Sequence, residues 1–156
     1  MDMLAAIKAE PFFEGIPEKE LALLADCGEA GTFPTGAWLL RQHAPAKHFY
    51  LLTGGLVELK AFVPQRGVVT LETLGVHEPL GWSWLVPPYQ WHYDARTLEP
   101  TTALVFDAVR LRHEMEADHE FGFQLQRRVI DIMAQRLQAI RMQSLDVYGL
   151  PGGAFL

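Results

Sequence analysis

The sequence has one cysteine, a shortage of basic residues and no long apolar run. Because Cys27 stands alone among 156 residues, an internal disulfide is excluded, and a reducing, cytoplasmic compartment is expected. No apolar run approaches the roughly 18–20 residues that span a bilayer. Residues 1–4 lack the character of a signal peptide, so we expect neither secretion nor a membrane partner.

Acidic residues outnumber basic ones, with 19 Asp and Glu against 13 Lys and Arg and a formal net charge of −6. Binding to a phosphate backbone depends on clustered cations, so this composition argues against a nucleic-acid partner. The arginines near the C-terminus are expected to form a solvated helix face: Arg127, Arg128, Arg136 and Arg141.

Motifs of catalysis are also missing. There is no P-loop and no G-x-G-x-x-G, and Ser83, Ser144 and Cys27 lie in no recognisable nucleophile motif. The chain has no His-x-His, and the spacing of His43 and His48 does not match the ligand pattern of cupins, which hold iron or manganese. We expect no enzyme activity, no metal and no cofactor. A cupin-like metalloenzyme stays as a rival interpretation.

The sequence does contain an ordered succession of patterns. Residues 2–26 show two short helical patterns, 28–107 break into many short β-type segments, and 108–146 return to helical periodicity. This order predicts a mainly β fold with α: a double-stranded β-helix, or jelly-roll-like β-roll, flanked by N-terminal helices and a long C-terminal helix. We expect one domain over 1–147 and a tail at 148–156.

One turn signal inside the β-type region is specific. Gly54-Gly55 separates the segments 48–53 and 56–63, and both glycines accept a positive φ. The pair therefore predicts a two-residue hairpin between these segments.

The last helical pattern is long for a chain of this size. Asp107 and Asp118 are the expected N-caps of a short helix and of the long one, which would reach about Asp146 and extend roughly 40 Å. Its apolar face is formed by residues at steps of four and three: Phe121, Leu125, Val129, Met133, Leu137 and Ile140. Three more apolar residues fall outside this stripe: Ile130, Ile132 and Met142.

A second apolar surface on an overhanging helix has to be covered. We expect a symmetric homodimer through this helix, with contacts from Leu125, Val129, Ile132, Met133, Leu137 and Ile140. The alternative is that the helix folds back over its own β-roll.

Several motifs in a fixed order carry a family resemblance. They lie at residues 11–17, 20–24, 33–40, 49–59, 80–81 and 103–107. Together they resemble the cyclic-nucleotide-binding domain family, which includes the catabolite activator proteins and their Fnr-like relatives. The resemblance implies a regulatory β-roll sensor. DNA-binding members carry a helix-turn-helix domain after the long helix. No such element follows here, so a stand-alone sensor without direct DNA binding is expected.

The resemblance also indicates where a ligand would bind. In ligand-binding members, a glutamate directly after the glycine that matches Gly81 binds the ribose, and a later arginine binds the cyclic phosphate. Here Trp82 holds the glutamate position, and Trp91 lies near the arginine position. Trp84 is a third indole in the same segment. The nearest polar alternatives are His92 and Arg96.

Two interpretations of this segment are open. In the first, the indoles fill the former pocket as hydrophobic packing. In the second, a flat or hydrophobic ligand is anchored by Arg96 or His92 in a pocket formed by Gly81, Trp82, Ser83, Trp84, Trp91, His92 and Arg96. We expect a ligand-sensing module that binds cAMP and cGMP poorly. The alternatives are a degenerate scaffold subunit and a true cyclic-nucleotide binder.

Overall fold

The computed structural model describes residues 2–148 and begins with two short helices. α1 is Met3–Lys8 and α2 is Glu18–Asp26, with a 3₁₀ turn at Pro11–Phe13 between them. The Asp2 side chain accepts a hydrogen bond from the Leu4 amide at 3.1 Å and caps α1. Both helices agree with the sequence-based prediction.

Eight strands follow and form two antiparallel sheets. They are β1 Gly28–Phe33, β2 Trp38–Leu40, β3 His48–Gly54, β4 Val57–Val63, β5 Gly67–Leu74, β6 Pro79–Leu80, β7 Asp94–Thr97 and β8 Thr101–Asp107. The first sheet has the order β1-β8-β3-β6, and the second has the order β2-β7-β4-β5. Both contribute fully buried side chains, such as Phe49 and Val57. The predicted β-roll is confirmed.

The chain crosses from the first sheet to the second at Gly54-Gly55. β3 pairs with β6 and β8, whereas β4 pairs with β5 and β7. The hairpin predicted at this glycine pair is therefore wrong, because two glycines permit a turn between sheets as well as a turn within one. The hairpin of this region is β4–β5, which is joined through residues 64–66.

Two helices complete the described chain. α3 is Ala108–Ala117, and α4 is His119–Tyr148 with 30 residues. The described part of α4 reaches Tyr148, in agreement with the predicted end near Asp146, and residues 149–156 of the predicted tail lie outside the described residues. Within residues 2–148, no helix combines the length and the apolar character that a membrane span requires.

Side-chain caps explain where these two helices begin. The Asp107 carboxylate accepts a hydrogen bond from the Arg110 amide at 3.1 Å. The Asp118 carboxylate accepts one from the Phe121 amide at 3.2 Å. Each satisfies an amide that the first helical turn leaves without a partner, and both predicted caps are confirmed.

Candidate functional site

The aromatic segment begins at Gly81, directly after β6. Gly81 has a φ of +80°, and a β-carbon built there would lie 2.7 Å from Cζ3 of Trp91. Glycine alone suits both the left-handed backbone and this close approach. A 3₁₀ turn at Ser83–Leu85 follows. The packing of Trp91 on Gly81 thus brings the two ends of the segment together.

Two of the three indoles of this segment are core side chains. Trp84 is fully buried and stacks on Phe49, with ring centroids 4.8 Å apart and planes inclined by 20°. Phe49 stacks in turn on Phe106 at 5.6 Å. Trp91 is buried in the same hydrophobic cluster, and Ser83 is buried beside Trp84. For Trp84 and Trp91, the geometry is that of hydrophobic packing.

Helix α3 holds this segment through Arg112. Its Nη1 atom donates to the Trp84 carbonyl oxygen at 2.7 Å. Its guanidinium carbon lies 4.0 Å from the centroid of the Tyr89 ring, a cation–π geometry. The segment that follows Trp82 is therefore anchored to α3 at Trp84 and Tyr89.

Trp82 is the indole that faces open space. It is partly exposed and lies beside a cleft of about 840 Å³ between the second sheet and α4. This volume is in the range of small-molecule binding sites. The apolar lining of the cleft includes Leu59, Leu71, Ile132 and Ile140.

Polar side chains of the cleft come from the sheet and from the long helix. Arg136 of α4 donates through Nη2 to the Pro79 carbonyl oxygen at 2.7 Å. The Tyr93 hydroxyl is buried and has no hydrogen-bond partner among the described residues. Burial raises the pKa of Tyr93 to about 12, while Arg136 acts to lower it and Glu72 to raise it. The phenol is therefore neutral and lies near charges of both signs.

The expected polar anchors lie away from this cleft. Arg96 projects from the outer face of β7, where its Nε atom donates to the Gly36 carbonyl oxygen at 3.1 Å and its guanidinium carbon lies 4.9 Å from the Trp38 ring centroid. His92 is exposed and does not line the cleft. Of the seven predicted pocket residues, Trp82 alone lines it. Strand alternation turns Arg96 outward, and the anchoring role expected for Arg96 or His92 stays a prediction.

Several polar residues that line the cleft were not predicted from the sequence, among them Glu72, Glu78, Tyr93 and Arg136. A helical signal for Arg136 was present. It lies four residues after Ile132 and four before Ile140, so these three side chains share one face of α4. No comparable signal marks Tyr93, which lies just before a short strand.

Two arginines of α4 hold the helix against the rest of the chain. Arg128 donates to the Glu14 carbonyl oxygen, and Arg136 donates to that of Pro79. Both side chains are partly buried. The prediction that they belong to a solvated face is wrong, because carbonyl groups of the N-terminal segment and of β6 face this helix and accept their hydrogen bonds.

The first half of the long helix buries one apolar face. Leu125 and Val129 are buried in the core of the chain, and Ile132 and Met133 are partly buried against it. Leu125 and Val129 therefore face the core of their own chain rather than open surface. The other two predicted dimer contacts are exposed by 50% and 55%: Leu137 and Ile140.

A second apolar stripe of α4 repeats every seven residues. Phe123, Ile130 and Leu137 are exposed by 56%, 60% and 50%. Met133 and Ile140 follow Ile130 and Leu137 by three residues, which is the a/d spacing of a coiled coil. The sequence-based prediction did not include Phe123, and it noted Ile130 only as an apolar residue outside the main stripe.

The histidines do not assemble into a metal-binding cluster in the described part of the chain. No group of three or more His, Cys, Asp or Glu side chains is arranged there to hold a metal ion. His77 instead contacts the buried Glu10, with 2.7 Å between Nδ1 and Oε2. The cupin-like interpretation gains no support from these residues.

Comparison with known proteins gives a consistent family. A family model for the cyclic nucleotide-binding domain matches residues 31–118. A Geobacter metallireducens GS-15 protein named as a cyclic nucleotide-binding protein is 26% identical, with a TM-score of 0.80 over 88% of this chain and 99% of that one. The Thermus thermophilus catabolite activator protein is 21% identical, with a TM-score of 0.68 over 89% of this chain and 63% of that one.

A more distant similarity is to a eukaryotic regulatory protein. The regulatory domain of Toxoplasma gondii PKA, in co-crystal with cAMP, is 14% identical, with a TM-score of 0.67 over 88% of this chain and 49% of that one. At this identity, as for the Thermus thermophilus protein, the similarity is one of fold.

Proposed function

The chain belongs to the cyclic nucleotide-binding domain family, and from that premise we propose that it is a non-enzymatic regulatory module that senses a small molecule. The observation that carries the proposal is the cleft of about 840 Å³ beside Trp82. One wall of this cleft is the second sheet and the other is α4. A molecule bound between them contacts the long helix directly and biases its position.

Cyclic AMP and cyclic GMP are poor ligands in this proposal. The ribose-binding glutamate expected from the family has its place taken by Trp82, and Trp91, near the expected arginine position, is buried against Gly81. The guanidinium within the cleft, Arg136, already donates to a backbone carbonyl group. A buried cyclic phosphate needs a bidentate cation, and this arrangement does not offer a free one.

The output of the module is proposed to be a homodimer through the exposed apolar stripe of α4. The heptad stripe of Phe123, Ile130, Met133, Leu137 and Ile140 supports a second copy of the chain as the partner, because the same stripe on two parallel helices is self-complementary. Trp82 lines the cleft and also an apolar groove beside Ile130 and Leu137. A ligand that moves Trp82 therefore alters the dimer surface.

A degenerate domain that serves as an interaction subunit is the second candidate. The solid packing of Trp84 and Trp91 favours it, because two indoles of the family's ligand segment fill space that a ligand would use. In that case the dimer forms, but no small molecule occupies the cleft.

Native mass spectrometry of the purified chain tests the two candidates, since it reports stoichiometry and any retained small molecule together. The sensor predicts a retained molecule that is lost in Ala139→Trp, where the new ring fills the cleft. Gln138→Trp is the control: residue 138 is exposed and does not line the cleft, so this variant should keep the retained molecule. A dimer with no retained molecule in any variant supports the interaction subunit. Saturable binding of cAMP at micromolar concentration contradicts the proposed discrimination against cyclic nucleotides.

A further inference from the structure

One polar group of the cleft lacks a partner. Tyr93 is 8% exposed, and its hydroxyl group is buried with no hydrogen-bond partner among residues 2–148. Buried polar groups are almost always paired, because an unpaired one forfeits the hydrogen bond it makes with water when unfolded. Tyr93 also lines the cleft. A molecule bound there can supply the missing partner.

A carboxylate lies on the inner face of the second sheet. Glu72 of β5 is paired with Leu59 of β4, and directly paired residues of antiparallel strands project from the same face. Leu59 is buried, so Glu72 occupies a side of the sheet that carries apolar residues elsewhere. The ladder shifts next to this pair, and Leu71 is the extra residue of the resulting bulge. Such bulges redirect side chains beside binding sites.

The charges of the cleft do not balance. Two carboxylates, Glu72 and Glu78, line it together with one guanidinium, Arg136. The Glu78 carboxylate already accepts a hydrogen bond from the Gly75 amide at 2.6 Å. None of the ion pairs among the described residues includes Glu72 or Arg136. A ligand with one positive charge neutralises the cleft, whereas an anionic ligand adds repulsion from both carboxylates.

An aromatic surface adjoins the unpaired hydroxyl. The rings of Trp82 and Tyr93 have centroids 6.0 Å apart and planes inclined by 71°. A flat ring that contacts Trp82 therefore places its substituents close to Tyr93, whose pKa the nearby Glu72 carboxylate acts to raise.

We propose that the ligand of this cleft is a small aromatic amine, a statement that rests on the proposed sensing function. Its protonated nitrogen donates hydrogen bonds to the Glu72 carboxylate and to the Tyr93 hydroxyl, and its ring packs on Trp82. Glu72 is the residue that selects a cation over an anion, and the cleft discriminates against phosphate-bearing molecules for the same reason.

The test compares two probes that share an indole ring and differ in charge: tryptamine, which is cationic, and indole-3-acetate, which is anionic. Both are titrated into the ¹⁵N-labelled full chain, with the indole N–H signal of Trp82 assigned from Trp82→Phe. We expect tryptamine to shift the Trp82 signal in a saturable manner at millimolar concentration or below, and indole-3-acetate to leave it unchanged.

Two matched variants distinguish selection of the ligand by charge from nonspecific binding. Glu72→Gln keeps the size of the side chain and is expected to weaken tryptamine binding about tenfold, as the loss of a charged hydrogen bond predicts. Glu58→Gln removes an equal charge from the neighbouring strand, where Glu58 bonds Thr70 and pairs with Lys60. It is expected to change tryptamine binding less than twofold by the same reasoning, since Glu58 does not line the cleft.

The outcomes distinguish this inference from the proposed function. Equal or tighter binding of indole-3-acetate at the cleft overturns the assignment of a cationic ligand but leaves the sensing function intact. Tryptamine binding that is indifferent to Glu72→Gln also overturns it. If neither probe shifts Trp82 and native mass spectrometry finds no retained molecule, both the ligand class and the sensing function fail.

Discussion

Gly81 lies so close to the Trp91 ring that a β-carbon at residue 81 would be 2.7 Å from Cζ3. We therefore expect Gly81→Ala to lower the free energy of unfolding through both strained backbone and overpacking. Gly67→Ala is the matched control, because Gly67 has a similar φ of +77° with no atom within 4 Å of the added carbon. Gly67→Ala is expected to cost about 1–2 kcal/mol, and Gly81→Ala roughly 1–3 kcal/mol more. Urea unfolding of both variants measures the difference, and equal losses would contradict the contact.

Truncation of Trp84 is expected to be the more damaging of two tryptophan changes. Trp84→Ala removes a fully buried ring that stacks on Phe49, and it should cost about 3–5 kcal/mol of unfolding free energy. Trp82→Ala removes a partly exposed ring from the cleft wall and should cost about 1 kcal/mol. Chemical denaturation compares the two, and a larger loss for Trp82→Ala would show that Trp82 is the structural indole.

The stability of the chain is expected to fall in alkaline solution through Tyr93. Burial raises the pKa of Tyr93 to about 12, above the value of about 10 for an exposed phenol. The unfolded chain therefore loses this proton at lower pH than the folded chain. Below about pH 10, neutral Tyr93 makes its full contribution to the free energy of unfolding. As the pH rises through the folded pKa, the free energy of unfolding falls by an amount on the order of 2–3 kcal/mol.

The measurement is the unfolding free energy of wild type and Tyr93→Phe between neutral pH and pH 12. As the pH rises, the unfolding free energy of wild type should fall more than that of Tyr93→Phe, because phenylalanine has no proton to lose. The other tyrosines are present in both proteins, so their effect on the unfolding free energy drops out of the difference between wild type and Tyr93→Phe. A pH-independent difference would place the Tyr93 hydroxyl in contact with solvent.

The dimer surface is expected to depend on Leu137. A carboxylate in the heptad stripe meets its own copy across a parallel helix pair, so Leu137→Glu should raise the dimer dissociation constant about a hundredfold or more. Val109→Glu is the control, since Val109 is exposed by 55% on α3 and lies outside the stripe. Analytical ultracentrifugation measures the dimer dissociation constant of both variants. A dimer that survives Leu137→Glu but not Val109→Glu would assign the interface to α3.

Local signals in the sequence were sufficient for the positions of most elements. Asp107 and Asp118 predict where α3 and α4 begin, because a capping side chain acts within three residues of its own position. Glycine and proline mark the ends of the strands for an equally local reason. The pairing of strands is not local, and this is why the glycine pair at 54–55 was assigned to a hairpin although it leads from one sheet to the other.

The candidate site was predictable in location but not in detail. The family resemblance pointed to the segment after Gly81, and Trp82 does line the cleft. Trp84, two residues later, enters the core because the segment forms a 3₁₀ turn in place of a strand, so neighbouring side chains follow no simple alternation. Glu72 and Arg136 reach the cleft from remote elements, a meeting that depends on how α4 packs over the sheet.

The central place of β8 in the first sheet constrains how the chain is made. This strand lies between β1 and β3, and it is the last strand of the roll to be synthesised. Until Asp107 has left the ribosome, the inward edges of β1 and β3 have no neighbour to pair with. A nascent chain that stalls before Thr101 therefore exposes unpaired strand edges, the feature by which β-proteins aggregate.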